Sequence, residues 1–193
     1  MILCGDTNMF DFLRARFTGG NPSRSKSEQA RPGVQLLASV LVCFPEIEAV
    51  SYDPHEGMLT MDFVVRAEIP PAEMERFSAL LAESIETYHL IGDGAVSEMS
   101  FSYEQHAALT MIHLARRMDE LSEKELSLIV QLLTERFGKD LLVDAHGADT
   151  LDAEFSFLQH ETLERMLLAV REIPLRDRLV GIRERDQVVV YNR

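Results

Sequence analysis

Residues 57–88 read GMLTMDFVVRAEIPPAEMERFSALLAESIETY, and the fold turns on the change of period partway through this stretch. Leu59, Met61, Phe63 and Val65 recur at every second residue, the spacing with which a strand (Met58 to Arg66) lines one face of a sheet. After Pro70–Pro71 the spacing becomes helical. Phe77, Leu80, Leu81, Ser84, Ile85 and Tyr88 share one face, with Glu73, Glu75, Glu83 and Glu86 mostly opposite, and Gly92 supplies a stop.

Fifty residues on, the pattern returns weakly. Leu59-Thr60-Met61 is echoed by Leu109-Thr110-Met111, and Val50-Ser51-Tyr52 by Met99-Ser100-Phe101. Met74, Phe77, Leu80 and Leu81 are matched by Leu126, Ile129, Leu132 and Leu133. The echo predicts a repeated unit of helix and hairpin. Alanines and methionines favour a helix over 104–118, whereas the echo favours a strand, and 107–116 is read as strand. Ser122 and Glu125 form a capping-box pair that opens a helix running to Phe137.

Outward from this core, Ile47 to Asp53 pairs with 58–66 over a Pro54-His55-Glu56-Gly57 turn, and Val96 to Tyr103 is a further strand. Leu141–Ala145 and Leu151–Phe157 read as a hairpin over His146-Gly147-Ala148-Asp149, Glu161–Ile173 as a helix, and 178–184 with 187–191 as a last hairpin. The expected class is α+β: repeated α-β-β units forming one or two ferredoxin-like antiparallel sheets with helices packed on one face. The expected division is a mobile tail (1–31) with a short amphipathic segment at 9–17, a first α+β unit (32–104) and a second (105–193).

Val34 to Phe44 contains no charged residue. Val34, Leu37 and Leu41 form one apolar stripe, and Leu36, Val40, Cys43 and Phe44 another, so this helix needs a cover on two sides. The second half of the chain and an identical subunit are the candidates, and a homodimer through this helix is the expectation.

Charge narrows the function classes. The chain has 193 residues and a net charge of −13. Residues 1–31 and 171–193 are each net +2, which leaves −17 on 32–170, a body that repels phosphate backbones and argues against nucleic-acid binding. Met1-Ile2-Leu3-Cys4 runs into Gly5-Asp6 with no apolar leader core, and two cysteines in unlike contexts suit free thiols in the cytoplasm. Phe10, Leu13 and Phe17 share a helical face beside Arg14 and Arg16. Such a segment suits docking on its own protein, with membrane contact as the lesser alternative.

No Walker loop, dinucleotide fingerprint, His-Glu-x-x-His or Gly-x-Ser-x-Gly occurs, so no cofactor is expected. The candidate ligand set is Asp144, His146 and Asp149 around one turn, with His160 across the hairpin, since carboxylates and imidazoles together suit a divalent ion. Glycine and aspartate are also what a turn requires unaided. In size, charge and element order the chain resembles small acidic secretion-chaperone-like α/β proteins, a likeness that no motif carries. The expected function is a non-enzymatic cytoplasmic binding module acting on a protein partner. The alternative is an enzyme or sensor using a metal or small ligand at Asp144, His146, Asp149 and His160.

Overall fold

The computed structural model describes residues 32–92, 99–144, 153–173, 175–184 and 187–192. The expected tail (1–31), and with it segment 9–17, lies outside these residues, as do His146 and Asp149.

Helix α1 (Pro32–Cys43) leads into a hairpin of β1 (Ala49–Asp53) and β2 (Met58–Val65). Helix α2 (Pro71–Ile91) follows, with proline in its first turn where a missing N–H costs nothing. A second hairpin, β3 (Ser100–His106) and β4 (Leu109–Arg117), precedes α3 (Glu123–Phe137), a short 3-10 turn (Gly138–Asp140) and α4 (Ala153–Glu172). The chain closes on β5 (Leu179–Glu184) and β6 (Gln187–Asn192). Of residues 107–116, read as strand, 109–116 belong to β4, and 107–108 form the turn that precedes it. The echoed segments become β2 and β4, neighbours in the sheet, and α2 and α3, of which Met74, Phe77 and Leu81 and Leu126, Ile129 and Leu133 are buried, while Leu80 is exposed.

One reading is corrected. The hairpin expected from 141–145 and 151–157 is absent: Leu141 makes only an isolated bridge to Val65, and 153–172 is one helix. The alternation of Phe155 and Phe157 with polar neighbours imitates a strand, but the positions that sink into the core, Leu163, Leu167 and Val170, are spaced for a helix.

The six strands form one antiparallel sheet in the order β3-β4-β2-β1-β5-β6. The boundary expected at 104/105 falls inside β3, and strands from both sides of it share this sheet. The architecture is α+β, with all four described helices on one face. There Val50, Tyr52, Leu59, Met61, Phe63, Val65, Ile112 and Leu114 join the buried helical residues in one core. Helix α1 crosses so close to β5 that a side chain at Gly181 would meet Leu41 Cδ1 at 3.1 Å, which explains glycine there.

Both stripes of α1 are covered within the chain. Leu36, Leu37, Val40 and Leu41 are fully buried, and α1 packs against α4 as well as against β5. Ser39 Oγ donates to Met166 Sδ at 3.5 Å, and the Phe44 ring meets His160 edge-on at 5.3 Å. The uncovered stripe that pointed to a second subunit is therefore filled by α4. Met166 lies in the stretch 161–173 that reads as a helix, and the helix extends back to Ala153, which brings His160 onto Phe44.

Candidate functional site

Two of the four expected ligands lie among the described residues, near the end of α1, and each is held by a partner of its own. Asp144 Oδ2 accepts from Arg183 Nη1 at 3.0 Å, and the Asp144 amide donates to Pro45 O at 3.0 Å. His160 Nδ1 donates to Glu123 Oε1 at 2.7 Å. Among the described residues no group of three or more His, Cys, Asp or Glu is placed to hold a metal ion.

Arg183 is the residue the sequence reading missed. The late arginines suggest edge protection or an anion site, yet Arg183 is largely buried. Its Nη2 donates to Leu41 O and to Phe44 O (3.1 Å), and its Nε to Ile47 O (3.0 Å). A guanidinium at a helix C-terminus meets carbonyls left without intrahelical donors. Glu48 is buried beside this cluster, and burial, opposed in part by Arg183, pushes its carboxyl up to about 7. Arg178, by contrast, makes a surface pair with Asp53.

Around His160 a shallow cavity of about 520 Å3 is lined by Glu123, Ser156, Phe157, His160, Glu161 and Glu164. Helix α3 begins here. Glu164 Oε2 accepts from the Glu123 amide at 2.8 Å, and Glu123 Oε1 also accepts from Ser127 Oγ at 2.7 Å. Glu164 thus caps the first turn of α3, and Glu123 lies within that turn, where an acid is favourable. Burial, then the nearby Glu123 charge, pushes the Cys43 thiol up to about 11, so Cys43 is a poor nucleophile at neutral pH.

The apolar concavity lies elsewhere. Between the start of α1, the end of α4 and the approach to β5, a cavity of about 460 Å3 is lined chiefly by Gly33, Met166, Val170, Ile173, Leu175 and Leu179. Arg176 and Asp177 edge it. Ile173 is 77% exposed at its mouth. A side chain at Gly33 would meet Leu179 Cδ1 at 2.5 Å, so glycine is what lets α1 approach β5 here. No motif announces this groove, because its lining comes from three separate parts of the chain.

Two further polar clusters are buried. Arg116 Nε donates to Glu125 Oε1 at 2.5 Å, and both side chains are fully buried. His89 Nε2 donates to Glu125 Oε2 at 2.8 Å. The expected capping box is half formed: Ser122 Oγ accepts from the Glu125 amide at 3.2 Å, while the Glu125 carboxylate is engaged by Arg116 and His89. On the opposite sheet face, His113 Nδ1 donates to Asp62 Oδ1 at 2.6 Å. Among the described residues no helix is long and apolar enough to cross a membrane. Compared with known proteins, the chain matches no family model, no curated protein and no solved structure.

Proposed function

We propose that the protein is a non-enzymatic binding module, an adaptor, chaperone-like or regulatory protein of the cytoplasm, that takes an apolar stretch of a protein partner into the groove between α1, α4 and β5. The observation that carries this reading is the apolar lining of that groove with Ile173 standing exposed at its mouth. An apolar floor edged by Arg176 and Asp177 fits a peptide segment with one or two large aliphatic or aromatic side chains and polar flanks. The carboxylates around His160 support the same reading, since Glu164 caps α3 and Glu123 holds His160.

Site-specific photocrosslinking in cells tests it. A photoreactive phenylalanine at position 173 is expected to capture one defined protein, identified by mass spectrometry, and Ala169→Arg in the groove is expected to abolish the capture while leaving the thermal transition in place. The same probe at the exposed position 83 is expected to capture nothing specific. Equal capture from 173 and 83, or none, overturns the groove. A stoichiometric metal in the purified protein, lost on His160→Ala, favours the enzyme or sensor alternative instead.

A further inference from the structure

Strand β6 is an edge of the sheet, and among the described residues its one strand neighbour is β5. It reads Gln187-Val188-Val189-Val190-Tyr191-Asn192, with no charge, proline or glycine, and it pairs in an unbroken register. None of the six residues is buried, and Tyr191 is 36% exposed. A strand edge of this kind is a template for another strand, and proteins ordinarily blunt it with charge. The other edge, β3, carries Glu104 and His106. The late arginines do not blunt β6. Arg183 is engaged at the end of α1, Arg178 pairs with Asp53 and Arg176 edges the groove, while Arg185, Asp186 and Arg193 only flank the strand in sequence.

The layer above this edge is uncharged as well. Helix α1 has no charged residue, and it packs on β5 and β6 with α4 on its inner side, between it and α3. The bond from Ser39 to Met166 marks the flank turned to α4. Val34, Ala38 and Val42, four residues apart, line the opposite flank, on the side of the β6 edge. Val34 and Ala38 are half-buried and Val42 is 43% exposed. This flank is not the stripe that α4 fills. Charged groups stand at the two ends of the margin: Glu46, Arg183 and Glu184 where α1 finishes, and Arg176, Asp177 and Arg178 where it starts. Glu184 accepts from Tyr191 Oη at 3.1 Å.

We propose that a second copy of the chain docks on this two-layer margin, β6 against β6 about a twofold axis, so that two six-stranded sheets run into one. Twofold pairing of a strand with itself is antiparallel. Centred on Val189 or on Val190, it sets only valine, tyrosine, glutamine and asparagine opposite one another within the strand. Charge selects the margin: the body of the chain (32–170) carries −17 and repels a copy of itself, whereas these facing pairs hold no like charges. The second layer selects a copy over a lone strand. A peptide strand would pair with β6 and leave the flank of α1 bare, but a second copy brings its own α1 to that flank. The spacing allows it. With strands about 4.8 Å apart, two α1 helices lying over β5 or between β5 and β6 stand about 10–14 Å apart, close to the 10–12 Å diameter of a helix with its side chains. The groove opens on the α4 side of α1, so this pairing is independent of the groove reading.

Sedimentation of the full chain at micromolar concentration tests the pairing. A dimer is expected, and Val189→Lys, which sets a charge on the edge, is expected to weaken association by roughly tenfold or more while the thermal transition stays in place. Val42→Lys on the helix flank is expected to weaken it as well. Should Val189→Lys unfold the chain, crosslinking decides. With Cys4 and Cys43 replaced by serine, either Val189→Cys or Val190→Cys, whichever lies at the axis, is expected to form a disulfide between chains roughly tenfold faster than Ser102→Cys on β3. A monomer at every concentration, a dimer indifferent to Val189→Lys, or equal crosslinking from both edges overturns the proposal. A dimer that survives Val189→Lys and is lost on removing residues 1–31 overturns it in favour of a contact made by those residues. A monomer whose β6 cysteine joins a strand of a different protein overturns it in favour of strand addition by that protein.

Discussion

Strand β4 buries ionisable groups on both of its faces, and it does so by different means. On the helix side Arg116 is fully buried against Glu125 of α3 and beside His89 of α2, so one cluster ties two helices to the sheet. On the other side His113 is buried against Asp62 of β2, and that pair joins two adjacent strands. A full charge held by three elements depends on all three being docked. A pair held between adjacent strands depends on the ladder and on whatever shields it from above. Arg117, the next residue, shows the limit of the comparison: it faces away from the helices, is substantially exposed and pairs with Asp119 in solvent.

Substitutions can break this comparison at each level. The largest loss is expected from Arg116→Ala, which leaves Glu125 buried with half its partners removed. Breaking a buried ion pair from one side costs about 3–5 kcal/mol, read as a lower urea midpoint, and the double replacement Arg116→Met with Glu125→Leu is expected to recover much of it. An Arg116→Ala midpoint within error of the parent would show that water reaches this cluster.

His113→Leu is expected to cost about 2–3 kcal/mol, because a buried carboxylate keeps its desolvation and loses its donor.

Glu48 extends the comparison to pH. Its folded carboxyl titrates at about 7, above its ordinary 4.5, so its contribution is fully present below about pH 4.5 and is lost as pH rises through 7. Glu48→Gln is expected to remove that decline and to stabilise the protein at pH 8 by on the order of 2 kcal/mol, measured by urea titration at pH 5 and 8. An unchanged pH profile would refute it. The smallest effect is expected from Arg117→Ala: an exposed pair contributes little, and its urea midpoint should stay within error of the parent in high salt.

How much of this was legible follows the same division between local and distant partners. Strand β2 and helix α2 were readable because each carries its own period, and Pro71, Ser122 and Gly138 mark helix ends where the spacing expects them. Helix α4 was misread because its exposed start, with Phe157 68% exposed, alternates like a strand. That error shortened the helix that covers α1, although its stretch 161–173, with Met166, reads as helix in the sequence. Arg116 was illegible for another reason: alternation assigns it to the buried face, but its acid lies nine residues on in a different element. Of the candidate site, the sequence showed the residue types at Asp144 and His160 but not their engagement with Arg183 and Glu123, which join segments about 40 residues apart.

The Arg183 clamp has a consequence for how the chain is made. Its guanidinium closes on the carbonyls of Leu41 and Phe44 across a sequence separation of 139 residues or more, and β1 takes β5 as its second neighbour. Synthesis runs at about 5–20 residues per second, so the first helix waits roughly 10–30 s on the ribosome before its clamp emerges. Through that interval Leu36, Val40 and Phe44 have neither α4 nor β5 to cover them. The nascent chain therefore presents an unfinished apolar end for most of its time in translation, and α1 is completed only when β5 emerges.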